Sequence, residues 1–288
     1  MKINKLLRQT AKMLEKYSPD SFDIEAEILL AAVIKKNREY IYSHPEDSVT
    51  FWQKLALRRL IARRQYGYSI TAIIGHKWFY GLDFIVNKNV LIPRPETELI
   101  VEEVIKLIKN EELRIKNVVD VGTGSGCVVI ALAKNLKKED AKFYGLDISR
   151  KALAVARKNA EKNGVSGCIK FIHSDLLDGV DKNIFNEPAI ITANLPYLTP
   201  EQVKNSPSIQ KEPKLALLAG DDGLDCYRRL FTQIKNREIK NKLIIFCEID
   251  ETQKDSMAEL IKQSLPQAEL EFKNDLGGHC RLTIIKFK

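Results

Sequence analysis

The sequence predicts an α/β fold, a doubly wound and mostly parallel sheet preceded by a small helical domain. Three observations carry that prediction. From about residue 93, short apolar strands alternate with amphipathic helices. The last segment, "AELEFKNDLGGHCRLTIIKFK", reads as strand, Gly turn, strand with no helix between, so it should form an antiparallel hairpin at the sheet edge. Residues 1–75 show only helical periodicity.

In "FDIEAEILLAAVIKK", Ile24, Ile28, Leu29, Ala32 and Val33 fall at helical spacing, with Asp23 near the start. A second apolar stripe runs through "SVTFWQKLALRRLIARRQYG" and stops at Gly67. Residues 1–75 hold thirteen Lys/Arg and eight Asp/Glu, so +5 of the chain's net +8 lies there. Lys54, Arg58, Arg59, Arg63 and Arg64 gather charge on the second of these helices. That face is either solvated or a docking face for an acidic or RNA-bound partner. The expected division is a helical substrate-recognition domain over 1–75, a β-hairpin linker over 76–92 that turns at Asn87-Lys88-Asn89, and the α/β domain over 93–288.

Strands are expected at "NVVDVG", "KFYGLD", "IKFIHSD", "AIITAN" and "KLIIFCEI". Helices lie between them, including "SRKALAVARKNAEKNG", which stops at Gly164. No apolar run approaches the eighteen residues of a membrane span. The start, "MKINKLLRQTAKMLEKY", reads as an amphipathic helix and not a secretion signal. The five cysteines are scattered and make no C-x-x-C pair, which fits a reduced, cytoplasmic protein. The four histidines match no metal spacing, and no metal is expected.

The strongest local signal is "VVDVGTGSGCVVIALA". A strand runs into Asp120, then Gly122, Gly124 and Gly126, then a helix whose first N–H groups are free. A dinucleotide enzyme spaces its glycines G-x-G-x-x-G to seat a pyrophosphate. Here the spacing is D-x-G-x-G-x-G. Asp120 would repel a pyrophosphate but suits a cationic ligand, and S-adenosylmethionine carries a sulfonium and an ammonium. Asp147 ends the next strand, where a carboxylate can accept from both ribose hydroxyls. Asp175 ends the third strand, where its carboxylate could accept from an adenine amino group while Leu176 packs on the ring.

A second signal is "ANLPYL" at the end of the fourth strand. Ligands of open α/β sheets bind beyond the carboxyl ends of the strands. An amide or aromatic amine nitrogen is a poor nucleophile because its lone pair is delocalised. If both its N–H bonds are held by acceptors, the lone pair can be aimed at a methyl group. The Asn194 side-chain oxygen is one acceptor, and the backbone carbonyl before Pro196 is a second, stiffened by the proline. Tyr197 offers a wall for a planar group.

The combined pattern resembles the peptide chain release factor glutamine methyltransferases, the HemK/PrmC family. The resemblance runs along most of the chain through "VLIPRPETELIVE", "DVGTGSG", "HSDLL", "ANLPYL", "EPKLALLAGDDGLDCYRRL" and "NDLGGHCRLTII". It implies a seven-stranded class I methyltransferase domain behind a helical domain and a hairpin. It also implies methyl transfer from S-adenosylmethionine to the side-chain amide of the Gln in the Gly-Gly-Gln motif of release factors. Carried over, Gly122, Thr123, Gly124, Ser125, Gly126, Asp147, Leu176 and Asn194 would touch the cofactor, joined by Asp175 from its strand-end position. Asn194, Leu195, Pro196 and Tyr197 would hold the glutamine, with Asn194, Pro196 and Tyr197 as the catalytic set. The family motif usually reads Asn-Pro-Pro-Tyr, and Leu195 replaces the first Pro; Ala219 stands where the family often has Gly. Asn-Leu-Pro-Tyr also resembles the rRNA adenine dimethyltransferases, so an RNA adenine-N6 methyltransferase is the second reading. A non-catalytic, basic nucleic-acid-binding module is the third. The position of the accessory domain, ahead of the "IPRPETE" joint, favours the first. A cytoplasmic monomer acting on release factors is expected, with no membrane contact and no stable direct nucleic-acid binding.

Overall fold

The computed structural model describes residues 1–110, 114–136, 140–237, 239 and 241–287. Two compact units divide the chain, Met1–His76 with Pro207–Lys211, and Lys77–Ser206 with Glu212–Lys288. Lys288, the end of the expected last hairpin, lies outside the described residues.

The first unit packs α1 (Ile3–Leu14), α2 (Phe22–Ile34), α3 (Arg38–Ser43), α4 (Phe51–Gln65) and α5 (Ile70–Ile74) around Leu14, Leu29, Leu30, Leu57 and Ile61. Thr50 starts α4 with a capping box, its hydroxyl accepting from the Gln53 N–H while the Gln53 side chain accepts in return. The buried face of α2 differs from the expected stripe. Ile24 is half exposed, and the helix instead buries Glu25, Ala26, Glu27, Leu29 and Leu30. The two acids go inward because each has a cation: Arg64 binds Glu25 at 2.7 Å, and Arg38 binds Glu27. Of the basic residues on α4, Arg64 is therefore structural, and Arg63 donates to the carbonyls of Ala72 and Ile73. Arg58 and Arg59 are exposed.

A hairpin of β1 (His76–Phe79) and β2 (Leu82–Ile85) follows. Its turn is Tyr80-Gly81, both left-handed at φ 48° and 70°, a geometry that matches the strand twist. The expected turn at Asn87-Lys88-Asn89 also forms, closed by the Val90 N–H on the Asn87 carbonyl, but it comes after the hairpin. The pattern of Gly and aromatic residues at 80–81 is the signal that locates the true reversal.

The second unit is a seven-stranded sheet of β3 (Asn117–Val121), β4 (Lys142–Asp147), β5 (Ile169–His173), β6 (Ala189–Ala193), β7 (Leu243–Glu248), β8 (Glu269–Asn274) and β9 (Cys280–Lys286). Their order is β5-β4-β3-β6-β7-β9-β8. The first five are parallel, and β9 lies antiparallel to both β7 and β8. Helices α6 (Glu98–Asn110), α7 (Cys127–Asn135), α8 (Arg150–Lys162), α9 (Pro200–Asn205), α10 (Asp225–Lys235) and α11 (Lys254–Ser264) complete it. Every residue of β3, β6 and β7 is buried, as parallel strands covered on both faces require. Alternation divides them between two cores. Val118, Ile190 and Ile244 join α6 and α7 on one face; Val119, Ile191 and Ile245 join α10 and α11 on the other. The order reverses at β3, so β4 and β6 leave on opposite sides and open a crevice at their carboxyl ends. Among the described residues no helix is long and apolar enough to cross a membrane.

Tyr227 of α10 closes the sheet beneath that crevice. It is fully buried, and its hydroxyl lies between the carbonyls of Ala193 and Glu248, the last residues of β6 and β7. Tyr227→Phe should cost about 1–2 kcal/mol by leaving those carbonyls short of a donor. Urea unfolding of the two proteins checks it; equal midpoints would show that the hydroxyl is not holding the strand ends.

Candidate active site

A cavity of about 190 Å³ opens at the carboxyl ends of β3, β4 and β6. Its walls include Gly122, Thr123, Gly124, Ser125, Asp147, Asp175, Leu176, Asn194, Leu195 and Pro196. The structure thus brings most of the expected residues to one place. Gly126 does not line it. That residue caps α7 at φ 81°, where a Cβ would come within 2.8 Å of Ile130. Tyr197 does not line it either; its hydroxyl donates to Glu248 Oε1 at 3.3 Å.

Asp120 is 3% exposed, and its two oxygens accept from the hydroxyls of Thr123 at 2.6 Å and Thr192 at 2.8 Å. Burial pushes its pKa up to about 6, offset in part by those two hydroxyls. Asp120 therefore braces the glycine loop while bordering the cavity. Asp147 holds the same loop from β4. Its Oδ2 accepts the Gly124 N–H at 2.9 Å and its Oδ1 the Ser149 N–H at 2.8 Å. Each oxygen keeps a second lone pair for a ligand hydroxyl. Desolvation raises the Asp147 pKa, and the two N–H groups pull it back down. Asn159, fully buried on α8, donates to the Ser125 carbonyl at 2.9 Å and accepts the Ile85 N–H at 2.7 Å, fixing the far side of the loop.

At the other end of the cavity, Leu176 is left-handed at φ 51°, an uncommon state for a non-glycine residue. Ser174 holds it there by donating to its carbonyl at 2.7 Å. Asp175 is ion-paired with Arg229 at 2.6 Å, both partly exposed. Ile148 adds an apolar wall that is 45% exposed.

Several contributors are invisible in local sequence. Thr97 is 2% exposed and its Oγ1 accepts from Asn194 Nδ2 at 2.9 Å. Arg94 reaches Glu212 at 2.6 Å, and Glu212 also accepts the Ile92 N–H at 3.1 Å. The "IPRPETE" and "EPK" segments are thereby locked together beside the cavity. Gly223 lets the backbone pass tightly under Tyr197, since a Cβ there would lie 2.1 Å from the Tyr197 carbonyl. Glu248, at the end of β7, is 2% exposed. Burial pushes its pKa up to about 7 despite the hydroxyls of Thr97 and Tyr197.

The residues present fit S-adenosylmethionine. A carboxylate with spare lone pairs stands at the end of β4, the glycine loop is open where a Cβ at Gly124 would meet nothing nearer than 3.9 Å, and an apolar wall faces them. Sheet order and loop together define a class I methyltransferase. A family model described as a methyltransferase domain matches residues 112–280, and one described as the PrmC N-terminal domain matches residues 5–75. The chain is 32% identical to the release factor glutamine methyltransferase of Bacillus anthracis over all of both chains. It is 36% identical to that of Dictyoglomus turgidum over 93% of each. The chain belongs to the release factor glutamine methyltransferase family, and its cofactor is S-adenosylmethionine. A solved structure, the hMettl16 catalytic domain in complex with MAT2A 3'UTR hairpin 1, covers 90% of each chain with TM-score 0.54 and 16% identity, a likeness of fold alone.

The buried acid gives a test of the electrostatics. Glu248 ionises at about 7 in the folded chain against an ordinary 4.5, so folding favours its protonated form. Its contribution to stability is whole below pH 4.5 and is lost as pH rises through 7. Glu248→Gln should leave the melting temperature nearly unchanged at pH 4 and raise it at pH 8, a stabilisation of at most about 3 kcal/mol. Calorimetric melts across that range decide it; a loss of stability at pH 8 would contradict the assignment.

Proposed function

We propose that this chain transfers a methyl group from S-adenosylmethionine to the side-chain amide nitrogen of the glutamine in the Gly-Gly-Gln motif of a peptide chain release factor. The observation that carries the reading is the orientation of Asn194. Asn194 lines the cavity, and its Nδ2 is committed to Thr97, which leaves Oδ1 as a free acceptor. A substrate –NH2 has two donors. Oδ1 of Asn194 takes one, and the Leu195 carbonyl, ahead of Pro196, takes the other. Holding both fixes the amide plane and leaves the nitrogen no freedom to rotate. S-adenosylmethionine, when bound, supplies an electrophilic methyl on a cationic sulfonium. Gly122, Thr123, Gly124, Ser125 and Asp147 would hold it, with Asp175 and Leu176 at its far end. Leu195 is 3% exposed and packs over Gly122, so its side chain supports the loop rather than the substrate. Tyr197 would act through its backbone and through Glu248. No side chain is assigned as a base; the extra proton leaves after transfer.

Names of relatives matched over 93% or more of each chain support the substrate. An RNA adenine would offer the same –NH2 geometry, and the solved RNA-bound likeness extends only to fold. Labelled cofactor should mark a release factor and leave rRNA unmarked; the reverse pattern would replace the reading. In single-turnover methylation at saturating cofactor, Asn194→Ala should fold and lose about 10²–10³ in rate. A rate within about threefold of wild type would make the loop a turn and nothing more.

The exposed Arg58 and Arg59 on α4 are proposed to meet the body of the protein substrate in the cytoplasm. Arg58→Glu with Arg59→Glu should slow methylation of intact release factor and leave a short glutamine peptide reacting as before. Equal losses on both substrates would remove the helix from recognition.

A further inference from the structure

The Asn194 side chain can work only one way round. An amide flipped by 180° would present –NH2 to a substrate –NH2, donor against donor. Thr97 alone does not forbid this, because a hydroxyl both donates and accepts. What could forbid it is whatever decides where the Thr97 proton points. Glu248 is 2% exposed, its Oε1 accepts from the Tyr197 hydroxyl at 3.3 Å, and Thr97 is close enough to help hold its pKa down. Its Oε2 is buried without a hydrogen-bond partner of its own among the described residues. It lies outside the cavity lining, so it does not touch a ligand.

Resting on the functional reading above, we propose that Glu248 and Thr97 form a polarised relay that sets which end of the Asn194 amide faces the substrate. The carboxylate accepts from Thr97 O–H. Thr97 Oγ1 is then left as an acceptor only. Asn194 must answer with Nδ2, as observed at 2.9 Å, and its Oδ1 points to the incoming –NH2. Glu248 and Thr97 are positioning residues, acting through Asn194. The relay also explains why an acid is kept in a place where burial disfavours its charge.

Protonating Glu248 reverses the chain of donors. A carboxylic acid donates to Thr97, Thr97 can donate to Asn194, and the amide is free to turn. The groups that face Glu248 are Tyr197 after β6, Glu96 beside Thr97, Arg281 on β9, Cys127 at the start of α7 and Tyr227 on α10. Of these, burial raises the Tyr197, Tyr227 and Cys127 values, the last to about 12, which puts their titrations well above neutrality. The carboxyl of Glu248 is thus the member of the cluster that changes charge near pH 7.

Two measurements test the relay. The first needs no substrate: the Asn194 side-chain amide signals, assigned by their loss in Asn194→Ala, are followed by 15N NMR against pH. In the wild type they should shift through a midpoint near 7. In Glu248→Gln, expected to fold and to be more stable at pH 8, that titration should vanish. The second is methylation of a release factor. Thr97→Val should slow it about ten- to a hundredfold, Thr97→Ser should recover most of the rate, and Glu248→Gln should abolish the fall in rate below pH 7. A wild type that leaves release factor unlabelled would overturn the functional reading while the NMR titration still decides the relay. Amide signals that ignore pH in the wild type, or that titrate alike in Glu248→Gln, would overturn the relay. So would Thr97→Val at the wild-type rate.

Discussion

Both halves of the site hang on one carboxylate. Asp120, at the fourth position of the central strand β3, accepts from Thr123 in the glycine loop and from Thr192 on the neighbouring β6. Thr192 is two residues before Asn194. The same group therefore fixes where the loop turns and where β6 delivers its polar end. It does so from a position with 3% exposure, where water cannot compete for its oxygens. Without that brace the loop would depend on Asp147, which is more exposed, and on Asn159 at its far side.

The distinction between the two acids is informative. Both sit at the carboxyl ends of adjacent parallel strands, and both are drawn toward neutrality by burial. Asp120 spends its acceptors on two side-chain hydroxyls of the fold. Asp147 spends one lone pair per oxygen on backbone N–H groups and keeps the remainder for the cavity. A third acid, Glu248, ends the next strand but one and accepts from the Tyr197 hydroxyl. Three strand ends on this edge of the sheet thus carry three carboxylates with three different duties, set by which donors surround them.

The sheet and the location of the site were legible in the sequence because their signals are local. The D-x-G-x-G-x-G loop, Asp147 and Asn-Leu-Pro-Tyr each stand within a few residues of a strand end, and strand ends can be read from apolar runs. Thr97, Glu248 and the Arg94–Glu212 pair were not legible, because each matters through a partner far away in sequence. Thr97 and Asn194 are 97 residues apart, and Arg94 and Glu212 are 118. The same cause moved the buried face of α2. Periodicity assigned Ile24 to the core, but Glu25 finds Arg64 39 residues on, and the helix turns its acids inward. The left-handed Leu176 is a further case, imposed by a serine hydroxyl rather than by the residue itself.

The antiparallel pair that ends the sheet also bears on how the protein behaves in solution. A parallel sheet that stopped at β7 would offer a buried, mostly apolar strand with a free row of N–H and C=O groups, a template for joining other chains. With β9 and β8 in place, the outermost strand on that side is β8, whose Glu271 is flanked by Lys273 at 2.7 Å and Lys286 at 3.0 Å. A second copy approaching edge to edge would have to strip water from this ladder of charges before any backbone bond could form. The C-terminal hairpin therefore guards against aggregation as well as finishing the core.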